Sequence, residues 1–215
     1  MASGYHVSVL DSLRQRGWTA VREITRTGFL ELAYNLGTPW FRPAGVVEQL
    51  RVREREDAPS RSLSGIHGRG AFPLHTDLAH YAIPPRYVLL RNASTLPIRP
   101  TTVQPLHALS CSQAASRTLQ RRVWVIRGGP APFYAPVLFG AGAFVRWDSA
   151  CMSPGPLATD ALHAWTDYLA LAKPCNFDWD VNTVLVIDNW RALHGRVAGT
   201  MESDSERILE RIVVS

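Results

Sequence analysis

The chain is predicted to fold as a β-rich α+β domain, a sandwich or an open barrel. Three observations predict it. Six segments read as strands, the helical periodicities fall at the start with one late exception, and strands and helices do not alternate as in a doubly wound parallel sheet. Residues 6–16 and 25–36 read as helices, the second ending on Gly37 with Pro39 just beyond, as helix C-termini often do. Residues 46–54 read as a strand running into the polar loop EDAPSRSLSG. RYVLLRN (86–92), RRVWVIR (121–127), FVRWD (144–148), TVLVIDN (183–189) and RILERIVVS (207–215) are the other strands. Between FVRWD and TVLVIDN, Leu162, Trp165, Leu169 and Ala172 recur at helical spacing, which predicts a helix over 159–172.

The 215 residues suit a single domain over 1–215, with no repeat or linker to divide it. A hydrophobic fraction of 46% and a charged fraction of 19% are those of a globular chain. The start, MASGYHVSVLDSLRQRG, lacks the pattern of a secretory signal, and the longest apolar run, APVLFGAGAFV, is too short to span a bilayer. A cytoplasmic protein without membrane attachment is expected. Cys111, Cys151 and Cys175 lack metal-site spacing and read as reduced thiols. The net charge is +5, yet only Lys173 among the 23 basic residues is a lysine, and acids and bases intersperse as in RVREREDAPSR. No basic stripe with interleaved aromatics argues for nucleic acid. The positive field favours a small anionic substrate.

GAFPLHTDLAHY holds His75 and Asp77 two apart at what reads as a strand end, where i and i+2 share a face. An imidazole and a carboxylate so placed can take adjacent positions on one metal ion. One distant histidine would complete the two-histidine, one-carboxylate set of non-haem Fe(II) oxygenases. His-x-Asp also arises by chance, with Asp77 capping a turn and His75 packed in a partly polar core. His194 follows the apolar strand TVLVIDN, where it either sits at a barrel mouth or caps a loop before Gly195. On the last strand Arg207 and Arg211 share a face with Leu209 and Val213. Turned inward, such guanidinium groups need carboxylates; turned outward, they are the solvated face of an edge strand.

Taken in order, HTD, DNWRALHGR and RILERIVV resemble the taurine dioxygenase and clavaminate synthase-like group of Fe(II)/2-oxoglutarate-dependent oxygenases. NLGTPW (35–40), PPRYVLLRN, Thr101-Thr102 and FVRWDSACMSP extend the resemblance over about residues 30 to 214. It implies a double-stranded β-helix, or jelly roll, with flanking helices. It implies that His75, Asp77 and His194 hold Fe(II), and that Arg207, thirteen residues after His194, clamps the distal carboxylate of 2-oxoglutarate. Thr102 would assist, with Thr101 as the alternative because RPTTVQP departs from the usual glycine-rich lead-in. Arg211 matches a position that often meets an acidic group of the primary substrate. O2 and 2-oxoglutarate would become succinate and CO2 as a C–H bond of an amino acid or natural-product intermediate is hydroxylated, desaturated or cyclised. Asp77 argues against halogenation.

Two departures stand out. Members are commonly much longer, so the site is expected to be open or completed by a partner, including an oligomeric one. The usual Gly-Asp before the last metal strand is Asn182-Thr183 here, and Asn tolerates the left-handed turn. Two other readings remain: a catalytically silent jelly-roll protein holding an anion, and a zinc hydrolase, in which Arg207 has no evident purpose. His67, His80, His107 and His163 read as structural or exposed, Trp165 and Trp179 as core, and Arg196 as support for its loop. Trp147, Trp190 and Arg146 either border the pocket or pack.

Overall fold

The computed structural model describes the chain except residues 1, 61, 96–97, 107–111, 141–143 and 199–206; of residues 2–7 it describes the backbone alone. His107 and Cys111 lie outside the described residues. The helices are α1 (Ala2–Arg16), α2 (Arg26–Leu36), α3 (Leu63–His67), α4 (Gln113–Arg121) and α5 (Thr159–Ala170). The strands are β1 (Trp18–Val21), β2 (Glu48–Arg51), β3 (Phe72–His75), β4 (Tyr87–Asn92), β5 (Thr101–Pro105), β6 (Trp124–Ile126) and β7 (Phe133–Ala135). They continue with β8 (Leu138–Phe139), β9 (Phe144–Val145), β10 (Met152–Pro154), β11 (Cys175–Phe177), β12 (Val184–Asp188), β13 (Ala192–Arg196) and β14 (Ile208–Val214). Every pairing is antiparallel.

Two sheets carry the molecule. One is five-stranded, in the order β1-β12-β4-β14-β2, and the other four-stranded, in the order β11-β5-β13-β3. Alternation along the strands sorts the side chains of the larger sheet. Val88, Leu90, Leu185, Ile187, Leu209 and Val213 face inward and pack with Val103, Ala192 and Phe177 of the smaller sheet. Tyr87, Leu89, Val184, Val186, Ile212 and Val214 face outward beneath Val9 and Leu13 of α1 and Phe29 and Ala33 of α2. The larger sheet is therefore covered on both faces, which is why VLVI and YVLL are unbroken apolar runs. A third cluster joins α4 and α5 to the small β10-β6-β7 sheet through Leu119, Trp124, Trp147 and Trp165.

The β-rich α+β class holds, and several boundaries move. Thr25 caps α2, its side chain accepting from Gly28 N–H. The strand expected over 121–127 begins only at Trp124, because α4, capped by Ser112, runs to Arg121. The strand expected over 144–148 keeps only Phe144–Val145; beyond it, Trp147 pairs irregularly with Thr76. His194 lies not after a strand but within one, β13, which follows β12 through the turn at Asn189–Arg191. Asn182 has φ 57°, the left-handed turn expected there, and its side chain accepts from Arg91 Nη1 at 3.0 Å.

Candidate metal centre and anion pocket

His75 and His194 are register partners on the paired strands β3 and β13. Directly opposed residues project to the same face, and the two rings lie 4.5 Å apart between centroids. Asp77 comes just past the end of β3, with His75 Nε2 3.9 Å from its Oδ1. The three residues are buried and offer ligand atoms all within 4.8 Å of one another. Gly195 makes this close pairing possible, since a Cβ there would come within 2.6 Å of Phe72 O and 2.9 Å of Thr102 Oγ1.

The donor set fits a divalent transition metal. His75 Nδ1 lies 2.9 Å from Pro73 O and donates to it, which leaves Nε2 with a free lone pair. His194 Nδ1 is buried without a hydrogen-bond partner. Burial and the neighbouring His75 push the His194 imidazole down to about 3, so it stays neutral. Burial alone would raise the Asp77 carboxyl, but Arg211, with His194 and His75, brings it down to about 2. Neutral imidazoles and an ionised carboxylate are the forms a metal requires.

Asn189, which the sequence reading passed over as the end of a strand, fixes Asp77. Its Oδ1 accepts from Asp77 N–H at 2.8 Å, and its Nδ2 donates to Asp77 O at 3.0 Å. A lone amide closing an apolar run was the only signal.

Arg211 of β14 and Arg207, just before that strand, both turn their Nε atoms into the interior. Arg211 is not open toward a ligand: its Nη1 donates to both oxygens of Asp77 at 3.0 Å, and its Nη2 to Glu48 Oε2 at 2.7 Å. Glu48 is the register partner of Arg211 on β2 and also meets Arg42 Nε at 3.4 Å. Glu48 too was missed, being one charge in an alternating strand. Arg207 is different. Its Nε is buried without a partner, and burial, with Arg99 nearby, lowers the guanidinium to about 10. No acid pairs with it among the described residues.

The two threonines are separated by strand alternation. Thr101 is opposite Arg196 and Thr102 opposite Gly195, so Thr101 shares the face of His194 and Thr102 lies on the other. Of the two, Thr101 is therefore the one on the face of the metal set. Thr101 is buried and accepts from Trp179 Nε1 at 3.1 Å, which leaves its hydroxyl hydrogen free to donate. Arg196 lies in β13 rather than in a loop, and it holds the segment between α3 and β3: Nη2 donates to Gly68 O and Gly70 O, both at 2.7 Å, and the guanidinium lies 3.7 Å from the Phe72 ring centroid. Arg99, also missed, donates to Arg69 O and Val197 O. Burial, then Arg207 and Arg99, lower Arg196 to about 9. Trp165 and Trp179 are core, as is Trp147; His163 is exposed, and His67 and His80 are half-buried.

No protein-family model matches the sequence, and no curated protein matches it. Solved structures do. The non-haem iron oxygenase OrfP in complex with Fe, succinate and (3S)-hydroxy-L-Arg superposes with a TM-score of 0.78 at 21% identity, covering 99% of this chain and 80% of that one. OrfP with Fe and alpha-ketoglutaric acid gives 0.75 at 22%, with the same coverage. An asparagine oxygenase with Fe(II), 2S,3S-3-hydroxyasparagine and succinate gives 0.77 at 17%, covering 99% of this chain and 79% of that one. The chain has the fold of these non-haem iron oxygenases, as its resemblance to the taurine dioxygenase and clavaminate synthase-like group implied.

Proposed function

We propose that this chain is a cytoplasmic Fe(II)/2-oxoglutarate-dependent dioxygenase. It is a single domain whose two main sheets form a double-stranded β-helix. The observation that carries the reading is the convergence of buried His75, Asp77 and His194 on one face, within 4.8 Å of one another. Arg207, half-buried with its Nε enclosed and without a described counter-ion, supports it. Iron with 2-oxoglutarate and O2 supplies the oxidising equivalents for a C–H bond and leaves succinate and CO2. The two imidazoles and the carboxylate would hold one side of the ion and leave the rest open. Arg207 would bind the distal carboxylate of 2-oxoglutarate bidentately. Thr101 would donate its hydroxyl hydrogen to the same group while it accepts from Trp179.

The primary substrate on this reading is a small anionic, amino-acid-like molecule, hydroxylated or else desaturated or cyclised. OrfP with L-Arg bound and the asparagine oxygenase with hydroxyasparagine bound support the amino-acid class. Once a metal takes up the charge of Asp77, Arg211 is the candidate to meet the acidic group. The test is anaerobic titration with Fe(II) and then 2-oxoglutarate. A visible charge-transfer band of the chelate is expected. A zinc hydrolase would show none, and absence of the band in the iron-loaded protein refutes the proposal.

A further inference from the structure

Residues 78–85 join the metal carboxylate to β4, and they are held almost entirely by side chains. Their one internal backbone bond runs from Tyr81 N to Leu78 O at 3.0 Å. The carbonyls around it go elsewhere. Trp190 Nε1 donates to Pro84 O at 2.9 Å, and Asn189 Nδ2 donates to Pro85 O at 2.9 Å as well as to Asp77 O. Both ends are thus pinned from the turn that leads into β13. The middle belongs to Arg146, which donates to Ala79 O, to Tyr81 O and, at 2.7 Å, to Ala82 O.

Arg146 has no solvent exposure and meets no carboxylate among the described residues. A buried charge in that condition is costly unless dipoles replace its water. Three carbonyls do so for Nη1 and Nη2 while Nε stays without a partner, and the rings of Phe133 and Phe144 lie 5.1 and 5.7 Å from the guanidinium carbon. The segment also begins in a sparsely populated conformation, Leu78 having φ 56°. Such backbone persists only where its surroundings hold it. At the outer end the Tyr81 ring packs edge-on against Trp40 at 5.0 Å, and Trp40 N–H donates to Val213 O of β14.

We propose that Arg146 is a positioning residue of this site. By gathering the carbonyls of Ala79, Tyr81 and Ala82 it makes residues 78–85 a fixed wall directly after Asp77, with Tyr81 set against Trp40, before any ligand arrives. Its role toward catalysis rests on the oxygenase reading. Lysine replaces it only in part, because a point charge does not span three carbonyls as a planar fork does.

Chymotrypsin cleavage after Tyr81, read by fragment mass on the full-length Fe(II)-loaded protein, tests the wall directly, because the Tyr81 residue is 41% exposed. The wild type should resist cutting there. Arg146→Met should be cut at Tyr81 at least tenfold faster, and Arg146→Lys should lie between. Succinate release with 2-oxoglutarate and no primary substrate should rise severalfold in Arg146→Met. A wild type cut at Tyr81 as fast as at exposed Tyr134 overturns the proposal, even if Arg146→Met fails to fold. So does an Arg146→Lys protein as resistant and as slow in unproductive succinate release as the wild type. Absence of the iron–2-oxoglutarate band in the wild type would refute the oxygenase reading instead, and the cleavage pattern would still judge the wall.

Discussion

Arg207→Met should act in opposite directions on stability and on cosubstrate binding. In the protein without ligand, burial and the neighbouring Arg99 take the guanidinium from its ordinary 12.5 down to about 10. At about 1.4 kcal/mol per pK unit this is an unfavourable term of at most about 3.5 kcal/mol, less whatever solvent screens at a half-buried group, and methionine removes it while filling much of the same volume. A gain of that order raises the melting temperature by about 2–4 °C per kcal/mol in a domain of this size. Bound 2-oxoglutarate, by contrast, loses a charge-assisted pair worth about 2–5 kcal/mol, or roughly 30-fold or more in affinity. Two assays on one variant decide it: thermal unfolding without metal or cosubstrate, and anaerobic titration of the Fe(II) protein followed at the chelate band. An unchanged affinity for 2-oxoglutarate moves the clamp to another arginine. A lower melting temperature refutes the uncompensated charge.

Three further outcomes are expected. Gly195→Ala should cost about 1–3 kcal/mol by overpacking and weaken Co(II) or Fe(II) binding in a metal titration, because its methyl would push β3 away from β13 and part the two histidines. Arg211→Gln breaks a buried pair with Asp77 and Glu48 and should lower metal-free stability by about 3–5 kcal/mol; added Fe(II), which takes over the charge of Asp77, should restore part of the loss in thermal unfolding. Asp188 is raised by burial to about 6, against the partial opposition of Arg86, so the folded state holds its proton more tightly than the unfolded one. Its contribution is full below about pH 4 and is lost as pH rises through about 6. Asp188→Asn should therefore gain at most about 3 kcal/mol at pH 8 and nothing at pH 4, measured by denaturant melts at the two values.

The metal set was legible because strand alternation is local: His75 and Asp77 could be read as one face from two residues of spacing. His194 was legible as a partner, but not as a member of β13, since ALHGR carries no apolar alternation and becomes a strand only through pairing on both sides. The choice between Thr101 and Thr102 turns on one residue of register, which only the pairing with β13 sets. Arg211 looked free because its partners, Asp77 and Glu48, are 134 and 163 residues away. Asn189 and Arg146 act on backbone carbonyls, and a carbonyl leaves no mark in a sequence. Helix α4 was hidden by its polar run, QAASRTLQR, in which Leu119 alone is buried.

One strand has a wider meaning. β3 is the outermost strand of its sheet and keeps only two register pairs with β13, with a shift between them. Edge strands of this kind are where sheets fray and where chains find each other. A metal ion seated between His75 and His194 would rivet this border to its neighbour, as a third rung that depends on neither amide nor carbonyl. Removing the ion with a chelator would then do more than silence chemistry. It would release a short border strand and the loop of Asp77 beyond it, and the chelated protein should self-associate faster on storage than the metal-loaded one.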